Sequence, residues 1–488
     1  MLKPTIGLLG VVFLASCDLH ASDPAKAPPS DVHVGHVTSC LLPPVLIQGE
    51  VRECKTLAAR MAELKIPGVS IAVVHNGTIV WARAFGVQGP DGKQVTETTL
   101  FQAGSISKPI AAVAALRLVQ DGKLSLDSDI NQVLTSWHLP SGSLAPDTKV
   151  TLRELLTHTG GISVHGFPGY PAGAAVPSLV QVLDGSKPAN TAAIRIEKAP
   201  GTEWNYSGGG FTVMQQALID ATHEPFPKLM ASTVLGPIGM EHSTYEQPLP
   251  AALRSNAAVP YAKGGKPVEG GAHTYPEMAA AGLWTTPSDL AHYILEVQNS
   301  MVGKANHVLD AKTTNAMLTP GKNKWGLGVE TGGSDANPYF THGGVNEGFQ
   351  SLFVAYEKAG GDGAVVMTNS VGGLGIAQDV MRSIAAEYAW PDFQPSVRTL
   401  AKVDRSVLQR YVGTFMATPT FSVVYTLEDD QLFAQASGQE KYPIYPEGQS
   451  KFFMKVVDAE IDFHTADDGE VDYLVLHQGG QDYKEMKK

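Results

Sequence analysis

Ser105-Ile-Ser-Lys108 runs directly into Pro109-Ile-Ala-Ala-Val-Ala-Ala-Leu-Arg-Leu-Val119, an apolar segment halted at Asp121-Gly122. That pattern predicts a helix with Ser105 at its N-terminus. Pro109 is compatible with it because it lies in or near the first turn, where the missing N–H is not needed. Residues three apart share a helix face, so the Lys108 ammonium is expected beside the Ser105 hydroxyl. Such a contact can activate a serine nucleophile without an acid–base histidine.

Ser-x-x-Lys alone is common by chance, and two further motifs give it weight: Tyr206-Ser-Gly208 and His342-Gly-Gly344. Around them, in order, stand Trp81-Ala-Arg-Ala-Phe-Gly86, Phe101-Gln-Ala-Gly104, Thr151-Leu-Arg-Glu-Leu-Leu-Thr-His-Thr-Gly-Gly161, Pro200-Gly-Thr-Glu-Trp-Asn-Tyr-Ser207, Gly282-Leu-Trp-Thr-Thr-Pro-Ser-Asp289 and Val366-Met-Thr-Asn369. Across residues 66–370 the chain resembles the serine β-lactamase and penicillin-binding-protein superfamily, specifically its class C-like branch of esterases, D-peptidases and β-lactamases.

The resemblance implies an α+β fold: an antiparallel sheet backed by helices, beside an all-helical lobe. It also implies an acyl-enzyme, with Ser105 as nucleophile, Lys108 as activating amine and Tyr206 as proton acceptor. The N–H groups of Ser105 and Val345 would form the oxyanion hole. Whether tyrosinate or a neutral Lys108 takes the proton stays open at this point. Gly343 and Gly344 would let substrate approach the strand backbone. Two positions depart from the β-lactamase pattern. His342 stands where lysine is usual, and can act on Tyr206, on the leaving group or simply as a structural histidine. Gly208 stands where asparagine usually binds an acylamide side chain. Both departures favour a small or short-acyl ester as substrate. A D-amino-acid peptidase or amidase, a β-lactamase and a catalytically weak envelope-binding scaffold are the alternatives.

The 488 residues allow one large domain and a small one, and a net charge of −12 without a Lys/Arg-rich run gives nucleic-acid binding no support. No Gly-x-Ser-x-Gly elbow, P-loop or dinucleotide fingerprint is present. His158 and His165 lack the carboxylate or cysteine spacing of a zinc site, so neither a metal nor a cofactor is expected.

Met1-Leu-Lys3, the apolar Ile6–Ala15 and Leu14-Ala-Ser-Cys17 look like a bacterial lipoprotein signal spanning 1–16, with Cys17 lipidated. The alternative is an ordinary secretory signal with an incidental cysteine. A tether over 17–44, flexible in the Pro/Ala/Ser-rich stretch Ala21–Val37, would then hold a periplasmic enzyme to the membrane. The two remaining cysteines, Cys40 and Cys54, can pair in an oxidising compartment or stay as buried thiols.

Glu50–Leu64 has helical spacing, and Val69–Val74 and Thr78–Phe85 flank Asn76-Gly77 as a hairpin. Thr151–Glu154 reads as a capping box for a helix ended by Thr159-Gly160-Gly161. The hydrolase domain is expected over 45–392, a linker over Pro391–Thr399, and a lipocalin-like antiparallel β-barrel over 400–488. In the barrel region the apolar runs are Tyr411–Phe415, Phe421–Thr426, Gln431–Gln435, Phe452–Val457, Ile461–Phe463 and Val471–Leu476.

Overall fold

In the computed structural model of the protein, residues 29–466 and 469–488 are described. The signal segment and Cys17 therefore lie outside the described residues. No described helix is long and apolar enough to cross a membrane.

Asn76 and Gly77 both adopt left-handed backbone, with φ of 51° and 72°. A type I′ turn requires this, and it joins strands Gly68–His75 and Thr78–Gly86 as an antiparallel hairpin. The hairpin is one side of a six-stranded sheet ordered Thr78–Gly86, Gly68–His75, Gly363–Thr368, Phe349–Tyr356, Asn337–Asn346, Glu330–Ser334. All neighbours are antiparallel, and residues as distant in sequence as Val69 and Thr368 pair.

Alternation along Gly68–His75 sends its side chains into two cores. Ala72 and Val74 join Leu290, Tyr293, Ile294 and Val297 of helix Pro287–Ser300. Val69, Ile71 and Val73 join Ile376, Val380 and Ile384 of helix Gly373–Glu387. Coverage on both faces explains why this strand reads as an unbroken apolar run.

The helical lobe occupies the chain between the two groups of strands. At its centre, helix Ser107–Gln120 buries residues on every side, from Ile110 through Leu116, as an all-apolar helix must. The Thr151–Glu154 capping box forms as expected. Its helix ends earlier than predicted, at Leu156, because His158 turns left-handed (φ 56°) and the Glu154 carbonyl accepts the N–H groups of Thr159 and Gly160.

Two N-terminal expectations and the linker need correction. Pro29–Ser39 is a helix, not flexible tether, because Val37 is fully buried against the core of helix Gly373–Glu387. The helix expected from Glu50 begins at Leu57, capped by the Thr56 hydroxyl. Cys54 is bonded to Cys40, and Lys55 bridges to Leu41, so the chain before Thr56 cannot coil. Within the expected linker, Ser396–Arg398 pairs in parallel with Val45–Ile47.

The C-terminal strands close into an eight-stranded antiparallel barrel in simple sequence order. Two of its strands, Lys441–Pro446 and Gln481–Lys487, were not anticipated. The first carries Pro443 and Pro446, which argue against a strand. The second has almost no apolar residue to mark it. Two expected limits also shift: Gln409–Tyr411 is a 3-10 turn before strand Gly413–Thr418, and the Phe452 strand ends at Met454.

Candidate active site

Ser105 lies in a 3-10 turn, Gly104–Ile106, one step ahead of the helix proper. Gly104 has φ 53°, and a Cβ there would sit 2.5 Å from Val345 N. A Cβ on Gly344 would sit 1.9 Å from the Ala103 carbonyl oxygen. The turn and strand Asn337–Asn346 therefore meet backbone to backbone, which glycine alone permits, and Ser105 and Val345 come side by side. Ser107 secures the turn from beneath. Its buried Oγ donates to Gly104 O at 2.6 Å and accepts from Leu283 N at 3.0 Å, while the Tyr245 hydroxyl donates to Ser107 O at 2.7 Å.

Lys108 Nζ donates to Ser105 Oγ at 2.9 Å and to the Ala280 carbonyl at 2.8 Å. Its side chain is buried, and no carboxylate pairs with it among the described residues. Desolvation of the ammonium pushes its pKa down to about 7. The Tyr206 ring lies 5.0 Å from Nζ. Burial raises the tyrosine above its ordinary value, and the nearby Ser105 side chain only partly offsets this. Of the two groups that could take the serine proton at neutral pH, the amine is thus the easier to hold uncharged.

His342 is buried, and desolvation, reinforced by nearby Lys108, lowers it to about 3. Nδ1 lies 2.6 Å from the Gly343 carbonyl, which assigns the ring proton to Nδ1. Nε2 is left as an acceptor without a partner among the described residues. A neutral acceptor attracts no substrate carboxylate. His158 is likewise buried and neutral: its Nδ1 accepts from Ser207 N at 3.1 Å, and its ring packs 4.3 Å from that of Tyr206.

These groups converge on a cleft of about 510 Å³ lined by Ser105, Lys108, Tyr206, His342, Gly343 and Val345. Gly208 and Gly344, expected to contact substrate, do not line it. Gly344 is consumed by the contact with Ala103, and Gly208 lies behind Phe167 and the His165 carbonyl, which accepts its N–H at 2.9 Å. Instead Phe167, Trp204, Trp325, His165 and Glu330 contribute to the wall. Trp204 stood within the Pro200–Ser207 segment, two residues from Tyr206, and could have been read as a cleft residue. Phe167 and Trp325 carried no such signal.

A family model described as Beta-lactamase matches residues 55–388. The chain belongs to the β-lactamase family. As a member of this family of serine hydrolases it is 31% identical over 240 residues to a β-lactamase of Pseudomonas fluorescens, covering 49% of this chain and 62% of that protein. It is 30% identical over 231 residues to esterase EstB of Burkholderia gladioli, covering 43% and 56%. It thus spans about three-fifths of the length of these curated relatives. The octameric penicillin-binding protein homologue of Pyrococcus abyssi has the same fold, with a TM-score of 0.58 and 20% identity over 88% of this chain and 98% of that one. Residues 398–487 match a second model, a domain of unknown function (DUF3471).

Proposed function

We propose that this β-lactamase-family member is an esterase on small or short-acyl esters, working through an acyl-enzyme on Ser105. The observation that carries the reading is the 2.9 Å hydrogen bond between Ser105 Oγ and a buried Lys108 whose pKa is depressed to about 7. Neutral Lys108 takes the serine proton as Oγ attacks the ester carbonyl, and the N–H groups of Ser105 and Val345 receive the oxyanion. Tyr206, protonated and beside Ser105, passes a proton to the leaving alkoxide. Water then cleaves the acyl-enzyme by the reverse proton path.

Three features support an ester over a β-lactam or D-peptide. Residue 208 offers no amide to an acylamino group. His342 presents a neutral acceptor where a substrate carboxylate would need a cation. Phe167, Trp204 and Trp325 supply an apolar wall suited to an alkyl or acyl chain. The identity with EstB agrees in direction.

The test is labelling with a fluorophosphonate and turnover of competing substrates. The adduct maps to Ser105 and disappears in Ser105→Ala, and nitrophenyl acetate or butyrate has a larger kcat/KM than a cephalosporin or a D-alanyl peptide. A covalent acyl adduct on Ser105→Ala removes the nucleophile assignment. A larger kcat/KM on cephalosporin or D-peptide replaces the substrate class. The Leu14-Ala-Ser-Cys17 sequence supports placing the enzyme in the periplasm on a lipid anchor.

A further inference from the structure

The C-terminal barrel is packed at one end and hollow at the other. Tyr411, Phe415, Phe452 and Phe463 plug the first end. The Tyr411 and Phe463 rings stack at 4.2 Å, and the Tyr411 hydroxyl donates to the Gln449 carbonyl at 2.8 Å. Toward the opposite turns, at 419–420, 437–440, 455–458 and 479–480, alanines stand among larger lining residues such as Tyr425, Met454 and Leu476. Ala434, Ala436 and Ala459 leave a cavity of about 620 Å³. An eight-stranded barrel is at the size where side chains fill the interior or one small molecule does, and this volume lies in the usual range of roughly 300–1,000 Å³ for ligand pockets.

Most of the deep wall is apolar, and of the two carboxylates that line the cavity Glu440 is exposed while Glu485 is buried. Glu485 stands opposite Leu474 in the strand pairing, points inward and is 1% exposed. Its Oε2 has no hydrogen-bond partner among the described residues. Burial pushes the carboxyl up to about 7. An apolar side chain would serve the fold better here, because an unpaired buried carboxyl costs stability. Phe421, Val456 and Tyr483 are exposed around the cavity mouth, providing an apolar approach.

We propose that the barrel binds an apolar molecule bearing a single amine, its hydrocarbon body against the alanines and its ammonium on Glu485. This site is separate from the Ser105 cleft, and its occupancy does not depend on the hydrolase reading.

Titration calorimetry of the full chain at pH 8 with octylamine, octanol and octanoate tests this. Octylamine is expected to bind at least about tenfold more tightly than octanol, with octanoate weakest. Glu485→Gln reduces octylamine binding to the octanol level, and Ala434→Phe, which fills the cavity, weakens both. Neither variant changes hydrolysis of a nitrophenyl ester. Absence of octylamine binding to wild type, or equal affinity for amine and alcohol, overturns the proposal, as does undiminished amine binding by a folded Glu485→Gln. If that variant does not fold, the wild-type ranking and Ala434→Phe decide the matter.

Discussion

The Phe167 ring occupies the space that a side chain on Gly208 would need: a Cβ at 208 would lie 3.0 Å from Phe167 Cε2 and 3.1 Å from the His165 carbonyl oxygen. The missing asparagine is therefore matched by a neighbour that has filled its place. Gly208→Asn is expected to cost about 1–3 kcal/mol by overpacking, measured by urea unfolding. Adding Phe167→Ala should recover part of that loss. Full stability in Gly208→Asn alone would show that Phe167 moves aside freely.

The depressed Lys108 pKa sets a pH dependence. Below about 7 the amine is charged and cannot accept the serine proton, so kcat/KM should rise with pH through that region and level off above it. His342, at about 3, is neutral throughout and contributes no limb there. Lys108→Arg should lose activity, since a guanidinium stays protonated. An arginine variant that retains the same limb would assign it to another group.

The same lysine should weaken the fold. Its folded pKa of about 7 lies below the ordinary lysine value of 10.5, so between these values the unfolded chain holds a proton that the native state releases. Stability then rises with pH across that window, and the deficit is full below about 7. Lys108→Met should gain on the order of 4 kcal/mol at pH 7, less whatever its two hydrogen bonds supplied, and little above pH 10.5. Thermal unfolding at both pH values checks the sign, with a loss at pH 7 contradicting it.

The Cys40–Cys54 disulfide closes a loop with a sequence separation of 14. Removing it by Cys40→Ser is expected to lower stability by about 3 kcal/mol through the freed unfolded chain. Ester turnover should be unaffected at temperatures where the variant is folded. Denaturant unfolding with a parallel activity assay separates the two effects.

For the anchor, wild type should fractionate with membranes when expressed in a bacterial host, and Cys17→Ala should not. Mass spectrometry of the mature N-terminus provides the direct reading: a processed chain without lipid would rule the anchor out.

What the sequence determined by itself was local chemistry and short-range geometry. The Ser105–Lys108 spacing, the Asn76-Gly77 turn and the Thr151–Glu154 cap depend on backbone rules that operate within a few residues, and the order of motifs carried the family. The buried environment had to wait for the tertiary structure, because desolvation comes from distant segments. Only folding puts Lys108 under Ala280, lowers its pKa and leaves His342 with one acceptor nitrogen. Gly344 looked like a substrate contact because glycine reports close approach without naming the partner, and Gly208 because it stands where the family's substrate-binding asparagine does. Phe167 and Ala103 proved to be those partners, brought there by packing. In the barrel, strand Gln481–Lys487 lacked an apolar pattern, and Glu485 acquired its inward direction only from pairing opposite Leu474. Pairing register and burial are properties of the closed barrel, so no local window of sequence contained them.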